Sequence, residues 1–297
     1  MNPLEHIQSV TVCDLCGADV TQNGTCVAEG RQELLGVSIH LSTVVCRRCR
    51  FIFQPERFSE TLMTALYRQD TGNAFDETKE KQSINKSYLS ERQAVISRVL
   101  TAYGISEGAA VLDVGGGRGE CCQHLAQRHR VVVADATECD PADPRIEKVH
   151  GFFSATLDEG TFDVVVMNHV LEHVFSPTEF LAAANHVLKK GGILVVEVPF
   201  ELYTPLVARH LGDWRHVGYF CRATLRQFLE KSGFVVEHLA LETGRYEARR
   251  LPLVRAIARK TTPQIPSRSD RNSVLVLVAD MFKPAVLGAL AKRLVCR

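Results

Sequence analysis

The chain has 297 residues and a formal net charge of +1, with 45% hydrophobic and 23% charged residues. This composition is typical of a soluble globular protein with a sizeable core, and its lack of repeats excludes collagen, coiled-coil and disordered chains. The near-zero net charge argues against a protein that coats nucleic acid. Ten cysteines are the unusual feature and need an explanation.

The N-terminal segment lacks the apolar stretch of a signal peptide, and the most apolar run, 274–279, is far too short to span a bilayer. We therefore expect a cytoplasmic, reducing location. In such a compartment, paired cysteines are metal ligands more often than disulfides.

Two Cys-x-x-Cys pairs lie near the N-terminus, namely Cys13 with Cys16 and Cys46 with Cys49. Each pair can bind one face of a tetrahedral ion, and two pairs close a four-thiolate site, which is the usual form of structural zinc. A closed site has no open position for a reacting molecule, so we expect this zinc to fold a small module. The alternatives are four independent buried thiols or a redox-active pair.

The two pairs differ in the residue after the second cysteine. Gly17 stands where the first turn needs a left-handed residue, whereas Arg50 at the second turn predicts either local strain or a different geometry. Between the pairs, residues 37–45 alternate like one arm of a hairpin. Cys26 also lies between them, and we do not expect it to be a ligand.

From residue 109 onward, strands and helices alternate, which predicts an α/β fold with a doubly wound parallel sheet. The predicted strands are 109–114, 131–135, 162–167, 192–198, 234–241 and 274–279, and the predicted helices are 120–128, 177–188 and 224–232.

A glycine-rich turn comes after the first of these strands, at the edge where such sheets bind ligands. It carries an acidic residue and three glycines at alternate positions, Asp113, Gly115, Gly117 and Gly119. Asp135, at the end of the second strand, is placed to accept hydrogen bonds from ribose hydroxyls. Glu120 stands where a dinucleotide site requires a small residue, and no Gly-Lys-Ser/Thr of a P-loop is present. The turn therefore suits a ligand with a cationic centre better than one with phosphates.

These segments resemble class I S-adenosylmethionine-dependent methyltransferases over about residues 88–241. The matching stretches are 111–119, 133–135, 162–174 and 188–194. The resemblance implies a Rossmann-like sheet whose last strand is reversed, and we place that strand at 274–279. It also implies that S-adenosylmethionine is the cofactor.

The resemblance assigns roles to the residues around the turn. It implies that the turn from Asp113 to Gly119 binds the cofactor, with Gly115 and Gly117 on its methionine and ribose side. Asp135 would bind the ribose, and Asn168, at the end of the predicted strand 162–167, would lie beside the cofactor. Where the family often has an acidic residue for the adenine, this chain has Gly151-Phe152-Phe153, so we expect an aromatic contact from Phe152 or Phe153.

The residues after the predicted strand 162–167 constrain the acceptor. Asn168-His-Val-Leu differs from the Asn/Asp-Pro-Pro-aromatic motif of enzymes that methylate amino groups of flipped bases, and no Pro-Cys nucleophile is present in this region. Transfer to an oxygen, carbon or amine of a small molecule remains. A hydroxyl or an acidic carbon needs a general base. The candidates are His173, just past the predicted strand 162–167, and His216, before the helix 224–232.

A narrower resemblance is to bacterial sugar C-methyltransferases, which place a four-cysteine zinc module ahead of the same fold. In those enzymes an aromatic strand and a proline follow the second pair, and in this chain that stretch is Cys49-Arg-Phe-Ile-Phe-Gln-Pro55. His173 occupies the position of a histidine that those enzymes use. Of their Tyr-His-Glu-His cluster only His216 is kept, and we expect no counterpart of their further large C-terminal domain, for which 297 residues are too few. The resemblance predicts a zinc ribbon at 1–60, a helical linker and cofactor-site lid at 61–100, and a methyltransferase domain at 101–297. The acceptor would be an oxygen or carbon of a sugar, polyketide or other secondary metabolite.

Charge is distributed unevenly along the chain. Residues 243–297 hold 12 Lys or Arg against three acids and carry +9, so residues 1–242 carry −8. We expect a basic insertion at 244–271, with a short amphipathic helix starting near Pro252, that packs as a solvated face or docks on a membrane surface, a protein partner or an anionic substrate. Two alternatives stay open: an RNA methyltransferase that uses the ribbon and this basic face, although nucleic acid is the less favoured partner, and an inactive scaffold.

Overall fold

A computed structural model describes residues 3–34, 36–59, 61–63, 65–66, 79–153, 157–201, 214–246 and 249–261. Within these ranges, no helix combines the length and the apolar character that crossing a membrane requires.

The N-terminal region consists of short strands arranged around one long hairpin. Its elements are β1 (Ile7–Ser9), α1 (Val20–Asn23), β2 (Gly24–Leu34), β3 (Val37–Cys46), β4 (Ile52–Phe53) and β5 (Glu56–Phe58). Strand β1 pairs with β5, and β2, β3 and β4 form part of a second sheet. The hairpin arm predicted at 37–45 is confirmed as β3.

The second region contains the large sheet. Its elements are α2 (Lys79–Ala102), β6 (Ala110–Val114), β7 (Arg130–Asp135), β8 (Glu147–His150), β9 (Phe162–Asn168), α3 (Pro177–Val187), β10 (Leu188–Pro199), β11 (Gly218–Tyr219), α4 (Arg222–Lys231), β12 (Phe234–Tyr246) and β13 (Arg249–Lys260). In the described part of the chain, this sheet has seven strands in the order β12-β13-β10-β9-β6-β7-β8. Only β13 is reversed, since it runs antiparallel to both β10 and β12. The predicted Rossmann-like methyltransferase sheet is therefore confirmed.

Local sequence explains the central elements. Strands β6 and β9 are short Val-rich runs that are buried on both faces, as expected for parallel strands covered by helices. Helix α3 begins at Pro177 after Ser176, whose side chain accepts a hydrogen bond from the backbone N–H of Glu179. Its buried face packs on the sheet through Leu181, Ala184 and neighbouring residues.

The position predicted for the reversed strand was wrong. The reversed strand is β13, at Arg249–Lys260, which pairs with β10 on one side and β12 on the other. Residues 274–279 lie outside the described residues. The helix predicted near Pro252 is part of this strand, because pairing between β10 and β12 outweighs the helix-like spacing of Leu253, Val254 and Ile257. Pro252 lies near the start of this strand, where it pairs with Thr243 of β12 and its carbonyl accepts a hydrogen bond from Phe200 N, just beyond the end of β10.

The helix predicted at 120–128 was also wrong. The chain there closes in successive turns, with hydrogen bonds from Cys122 N to Gly119 O and from Leu125 N to Cys122 O, and one turn of 3-10 helix at Gln123–Leu125. The run between the glycine turn and the start of β7 is short, and tight turns of this kind bring the chain back to the sheet.

One hydrophobic core runs through both regions. It includes Cys13 and Phe51 near the N-terminus as well as Val165 and Val254 of the large sheet. Strand β11 leaves the second region to pair with β4 of the first. The division at residues 60 and 100 stays a prediction. Of the basic segment, residues 249–260 belong to the sheet, while 262–297 lie outside the described residues.

Candidate functional site

A cavity of about 870 Å³ opens at the carboxyl ends of β6, β7 and β9. These strands meet where the chain order reverses, which is the usual ligand position in open α/β sheets. Gly115, Asp135, Phe152 and His173 line the cavity, so the structure brings together four residues that the sequence predicted separately.

The glycine turn fits tightly beneath this cavity. Gly115 has φ +65° and hydrogen bonds through its N–H to Ala134 O of β7, and a Cβ there would lie 2.9 Å from Val170. Gly116, which the sequence pattern did not single out, is required for another reason. A Cβ on it would lie 2.4 Å from the carboxyl carbon of Asp113.

Asp113 is fully buried under the turn instead of lining the cavity. Burial raises the pKa of its carboxyl to about 7, although a hydrogen bond with Cys122 opposes the shift. Gly117, Gly119 and Asn168 also lie outside the cavity lining, and the buried Asn168 Nδ2 has no hydrogen-bond partner among the described residues. Asn168 ends β9, as predicted.

The carboxylate of Asp135 connects the turn to the cavity wall. Its Oδ2 accepts a hydrogen bond from Gly117 N at 2.8 Å, and its Oδ1 accepts one from Thr137 N at 2.7 Å. These bonds fix the orientation of the carboxylate on the cavity surface. Thr137 Oγ1 also donates to Oδ1, at 2.5 Å, so the two lone pairs of Oδ1 are used and the acceptor capacity that remains for a ligand is on Oδ2.

The aromatic pair after β8 forms another part of the wall. Phe152 is exposed, whereas Phe153 is buried and makes an edge contact with Phe180 of α3, at 5.3 Å between ring centroids. Both line the cavity.

The two predicted histidines lie together at the edge of the cavity. Their rings are in edge contact, at 4.7 Å between centroids, although only His173 belongs to the cavity lining. His173 Nδ1 lies 2.7 Å from the carbonyl oxygen of Arg215, and His216 Nδ1 lies 2.7 Å from Glu201 Oε2. A carbonyl can only accept, so Nδ1 of His173 carries the proton and Nε2 holds a lone pair. Burial lowers the pKa of His173, which keeps its ring neutral near pH 7.

A buried charged cluster that the sequence did not predict lies behind the histidines. His169 bridges two carboxylates, with Nδ1 3.2 Å from Glu172 Oε1 and Nε2 3.2 Å from Glu197 Oε1. Burial opposes its protonation, but these carboxylates outweigh burial and raise the pKa of His169 to about 9. Arg92 and Arg255 bind Glu197 from either side, and the Arg92 guanidinium also lies 2.9 Å from His169 Nε2, where its positive charge opposes the effect of the carboxylates.

Two signals in the sequence could have indicated this cluster. Glu197 is a lone charge inside the apolar run of β10, and a charged residue in a buried strand needs a partner. Glu172 directly precedes His173. No sequence signal indicates the left-handed φ of +54° at His169.

The four predicted cysteines form a second cluster, and all four sulfurs lie within 4.8 Å of one another. The Cys13–Cys49 and Cys16–Cys46 sulfur pairs are each 3.6 Å apart. A tetrahedral ion with metal–sulfur bonds of about 2.3 Å separates its ligands by about 3.8 Å, so these two spacings are compatible with a zinc site. Cys26 is exposed and outside the cluster.

The two turns of this cluster have the same backbone geometry. Gly17 N donates to Cys13 O and Arg50 N donates to Cys46 O, both at 2.8 Å. Gly17 has φ +69° and Arg50 has φ +67°. Of the two alternatives for Arg50, the structure therefore shows strain in a common geometry.

One further group of donor atoms lies close together. Glu172, His173 and His216 place a carboxylate oxygen and two ring nitrogens within 4.8 Å of one another, so this group could hold a divalent cation.

Comparison with known sequences identifies relatives that match part of the chain. The chain is 30% identical over 138 residues to a probable S-adenosylmethionine-dependent methyltransferase of Mycolicibacterium smegmatis, covering 44% of this chain and 53% of that protein. It is 31% identical over 156 residues to the mitochondrial ubiquinone biosynthesis O-methyltransferase of Schizosaccharomyces pombe, covering 44% of this chain and 57% of that protein. The chain thus spans about half the length of these curated relatives.

Among solved structures, the 1,6-didemethyltoxoflavin-N1-methyltransferase of Burkholderia thailandensis superposes with a TM-score of 0.53 at 17% identity. The superposition covers 80% of this chain and 99% of that one, whose structure contains 1,6-didemethyltoxoflavin and S-adenosylhomocysteine. This likeness supports the fold. The family model described as a methyltransferase domain matches residues 88–239, which is more than half of the chain, and the protein therefore belongs to this methyltransferase family.

Proposed function

We propose that the protein transfers a methyl group from S-adenosylmethionine to an oxygen or an acidic carbon of a small molecule, with His173 as the general base. The observation that carries this proposal is the fixed tautomer of His173. Its Nδ1 is held by the Arg215 carbonyl at the edge of the cavity that also contains Asp135 and the glycine turn.

The cavity residues fit the proposed cofactor. The left-handed Gly115 brings backbone to the cavity surface without a side chain, and Asp135 presents a fixed carboxylate one strand away. A carboxylate at the end of this strand suits the two hydroxyls of a ribose. Phe152 and Phe153 offer aromatic surface for an adenine. When bound, the cofactor supplies a methyl group on a positively charged sulfur.

His173 supplies the proton chemistry. Its Nε2 accepts the proton of the acceptor while Nδ1 stays hydrogen-bonded to Arg215 O, so the ring does not reorient during the reaction. Buried Glu172, with Oε1 3.7 Å from Nε2, provides negative charge that stabilises the imidazolium that forms. The cavity walls hold the acceptor in line with the methyl group, and alignment supplies much of the acceleration in such a displacement.

The cavity also limits the acceptor. No lysine or arginine belongs to its lining among the described residues, whereas two carboxylates, Asp135 and Glu179, do. Phosphate groups are recognised by Arg and Lys, so this wall disfavours a nucleotide-activated sugar. An uncharged acceptor, such as a phenol, a polyketide or another secondary metabolite, suits the aromatic wall formed by Phe152, Phe175 and Phe180.

For the four-cysteine cluster we propose structural zinc. The equal turns and the sulfur spacing support a tetrahedral ion, and a closed four-thiolate site has no position for a substrate. In the reducing cytoplasm that the sequence predicts, such thiols stay available as ligands.

Calorimetry with S-adenosylhomocysteine tests the cofactor site. We expect wild-type binding and an affinity loss of about 10-fold to 100-fold in Asp135→Ala, the size of one or two charge-assisted hydrogen bonds. Asp158→Ala is the matched control, since Asp158 is exposed. Equal affinity in wild type and Asp135→Ala would contradict the assignment.

Turnover separates an enzyme from a scaffold. A panel of phenols, polyketides and free sugars is incubated with methyl-labelled S-adenosylmethionine, with and without Mg²⁺ because the Glu172 donor set could bind a cation. We expect label in an uncharged hydroxyl or carbon acid. Cofactor binding without any labelled product would support the scaffold instead.

A further inference from the structure

The two loops that carry the histidines are both attached to the N-terminal region. One runs from His173 to Thr178 and includes the start of α3, and the other runs from Trp214 to Tyr219 and contains β11. We call them the first and second histidine loops. Each of them contacts the strands or turns that hold the cysteine cluster.

Asp14 makes the contacts to the first histidine loop. It lies between Cys13 and Cys16, and its carboxylate accepts hydrogen bonds from Ser176 Oγ at 2.8 Å and Thr178 N at 2.9 Å. Its own carbonyl accepts hydrogen bonds from Lys231 Nζ and Thr178 Oγ1. Asp14 therefore caps the N-terminus of α3 jointly with Ser176, and a carboxylate at that end also interacts favourably with the helix dipole.

Arg57 also contacts the first histidine loop, at Phe175. Its guanidinium donates to the carbonyl oxygens of Gln54 and Phe175, and the side chain is buried between the rings of Phe53 and Phe175. Burial lowers the pKa of Arg57 to about 10, so the group remains charged at neutral pH. Phe175 and Ser176 both line the cavity.

The second histidine loop is attached through backbone contacts. Gln54 N donates to Val217 O at 2.9 Å, and Gly218 and Tyr219 pair antiparallel with Phe53 and Ile52. Val217 N in turn donates to Glu172 O at 2.8 Å, which ties the second loop to the residue preceding His173. The N-terminal region also reaches the cavity itself through Gln8 and Met63.

We infer that the cysteine-containing region acts as a clamp that sets the distance and angle between His173 and His216, with Asp14 and Arg57 as positioning residues. This inference rests on the proposed role of His173 as a base. A shift of about 1 Å in a reacting group can cost about 100-fold in rate. Loosening the contacts of Asp14 or Arg57 would therefore lower the reaction rate without any change in the residues that contact the acceptor. The proposed zinc site would then help to position the two histidine loops as well as stabilise its own turns.

The test compares Asp14→Ala with the conservative Asp14→Asn. We expect Asp14→Ala to keep its zinc and its affinity for S-adenosylhomocysteine while kcat falls about 10-fold to 100-fold, because the first loop loses two hydrogen bonds. The imidazole NMR signals of His173, assigned by their loss in His173→Gln, should shift in the same variant. Asp14→Asn should restore most of kcat and most of the wild-type His173 signals, since its amide oxygen can accept from Thr178 N while its NH2 group donates to Ser176 Oγ.

Asp19→Ala is the matched control. Asp19 caps α1 in the same region through Thr21 N, but α1 does not line the cavity. We expect wild-type kcat and wild-type His173 signals from this variant. If Asp14→Ala lowers only the unfolding temperature, with kcat and the His173 signals unchanged, the clamp is wrong.

Two further outcomes keep the inference separate from the proposed function. If the wild-type protein methylates nothing, the proposed function fails, and the His173 signals alone decide whether the clamp exists. If Asp14→Ala loses zinc, the His173 signals are measured in Arg57→Met instead, because the hydrogen bonds of Arg57 go to Gln54 and Phe175 and to none of the four cysteines. Unshifted His173 signals in Arg57→Met would then overturn the inference.

Discussion

The cysteine cluster and the histidine pair are both groups of potential ligands, but they are built in opposite ways. The four sulfurs turn toward one another inside two short turns of equal geometry, each closed by its own backbone hydrogen bonds. The histidines come from two loops that are far apart in the chain, and each is oriented by an oxygen from elsewhere, the carbonyl of Arg215 or the carboxylate of Glu201. The closed group has no position for a substrate, whereas the histidine pair lies at the edge of a cavity that His173 lines.

This difference also explains why one group is far easier to recognise from sequence than the other. A Cys-x-x-Cys turn is specified within a few residues, so spacing alone located all four sulfurs. The histidine pair depends on the packing of distant loops.

The largest expected effect comes from breaking the closed group. Cys46→Ser removes one thiolate, and because structural zinc contributes on the order of 10 kcal/mol to folding, we expect the variant to lose zinc and unfold or aggregate. Metal analysis and circular dichroism measure this. Cys26→Ser is the matched control, since Cys26 is exposed and outside the cluster. A folded, metal-free Cys46→Ser protein would show that the cluster needs no ion.

A smaller effect should appear in the pH dependence of stability. The pKa of His169 is raised to about 9 in the folded protein, because the neighbouring Glu172 and Glu197 outweigh its burial. Unfolded histidine titrates near pH 6.5, so the stabilisation is complete below about pH 6.5 and is lost as the pH rises toward 9. We expect the free energy of unfolding to fall by about 1–3 kcal/mol over this interval.

Urea denaturation at several pH values measures this dependence, with His169→Gln as the comparison. The variant lacks the titrating ring, so its stability should change less between pH 6.5 and pH 9. Parallel pH dependence in both proteins would assign the effect to other groups.

The smallest effect distinguishes the two turns of the cysteine cluster. Arg50 has a left-handed backbone that costs a side-chain-bearing residue about 1 kcal/mol, whereas glycine adopts it freely. We expect Arg50→Gly to stabilise the protein by up to about 1 kcal/mol and Gly17→Ala to destabilise it by a similar amount. Thermal unfolding of the two variants would show opposite shifts. Shifts of the same sign would mean that the turns are not equivalent.

Patterns that are decided locally were predictable. The Val-rich runs of β6 and β9, the Ser176-Pro177 start of α3 and the glycine turn all result from neighbouring residues. The sequence also placed Asp135 correctly at the end of β7. These features identified the fold and the position of the cavity.

Features decided by distant pairing were not predictable. Leu253, Val254 and Ile257 have helical spacing, yet β10 and β12 on either side make them part of a strand. The contact between Asp14 and Thr178 joins positions 164 residues apart. Neither residue carries a local sign of the other, so the attachment of the cysteine region to α3 could only be found in the structure.

The most direct test of the account is the turnover of His173→Gln measured on protein that still binds S-adenosylhomocysteine. Glutamine keeps a donor for the Arg215 carbonyl but cannot accept a proton, so we predict cofactor affinity close to wild type and a fall in kcat/KM of about 100-fold to 10,000-fold. His238→Gln, a change on the exposed side of β12, should behave as wild type. Wild-type turnover in His173→Gln would contradict the assignment of the general base and, with it, the contrast between the closed and the open group.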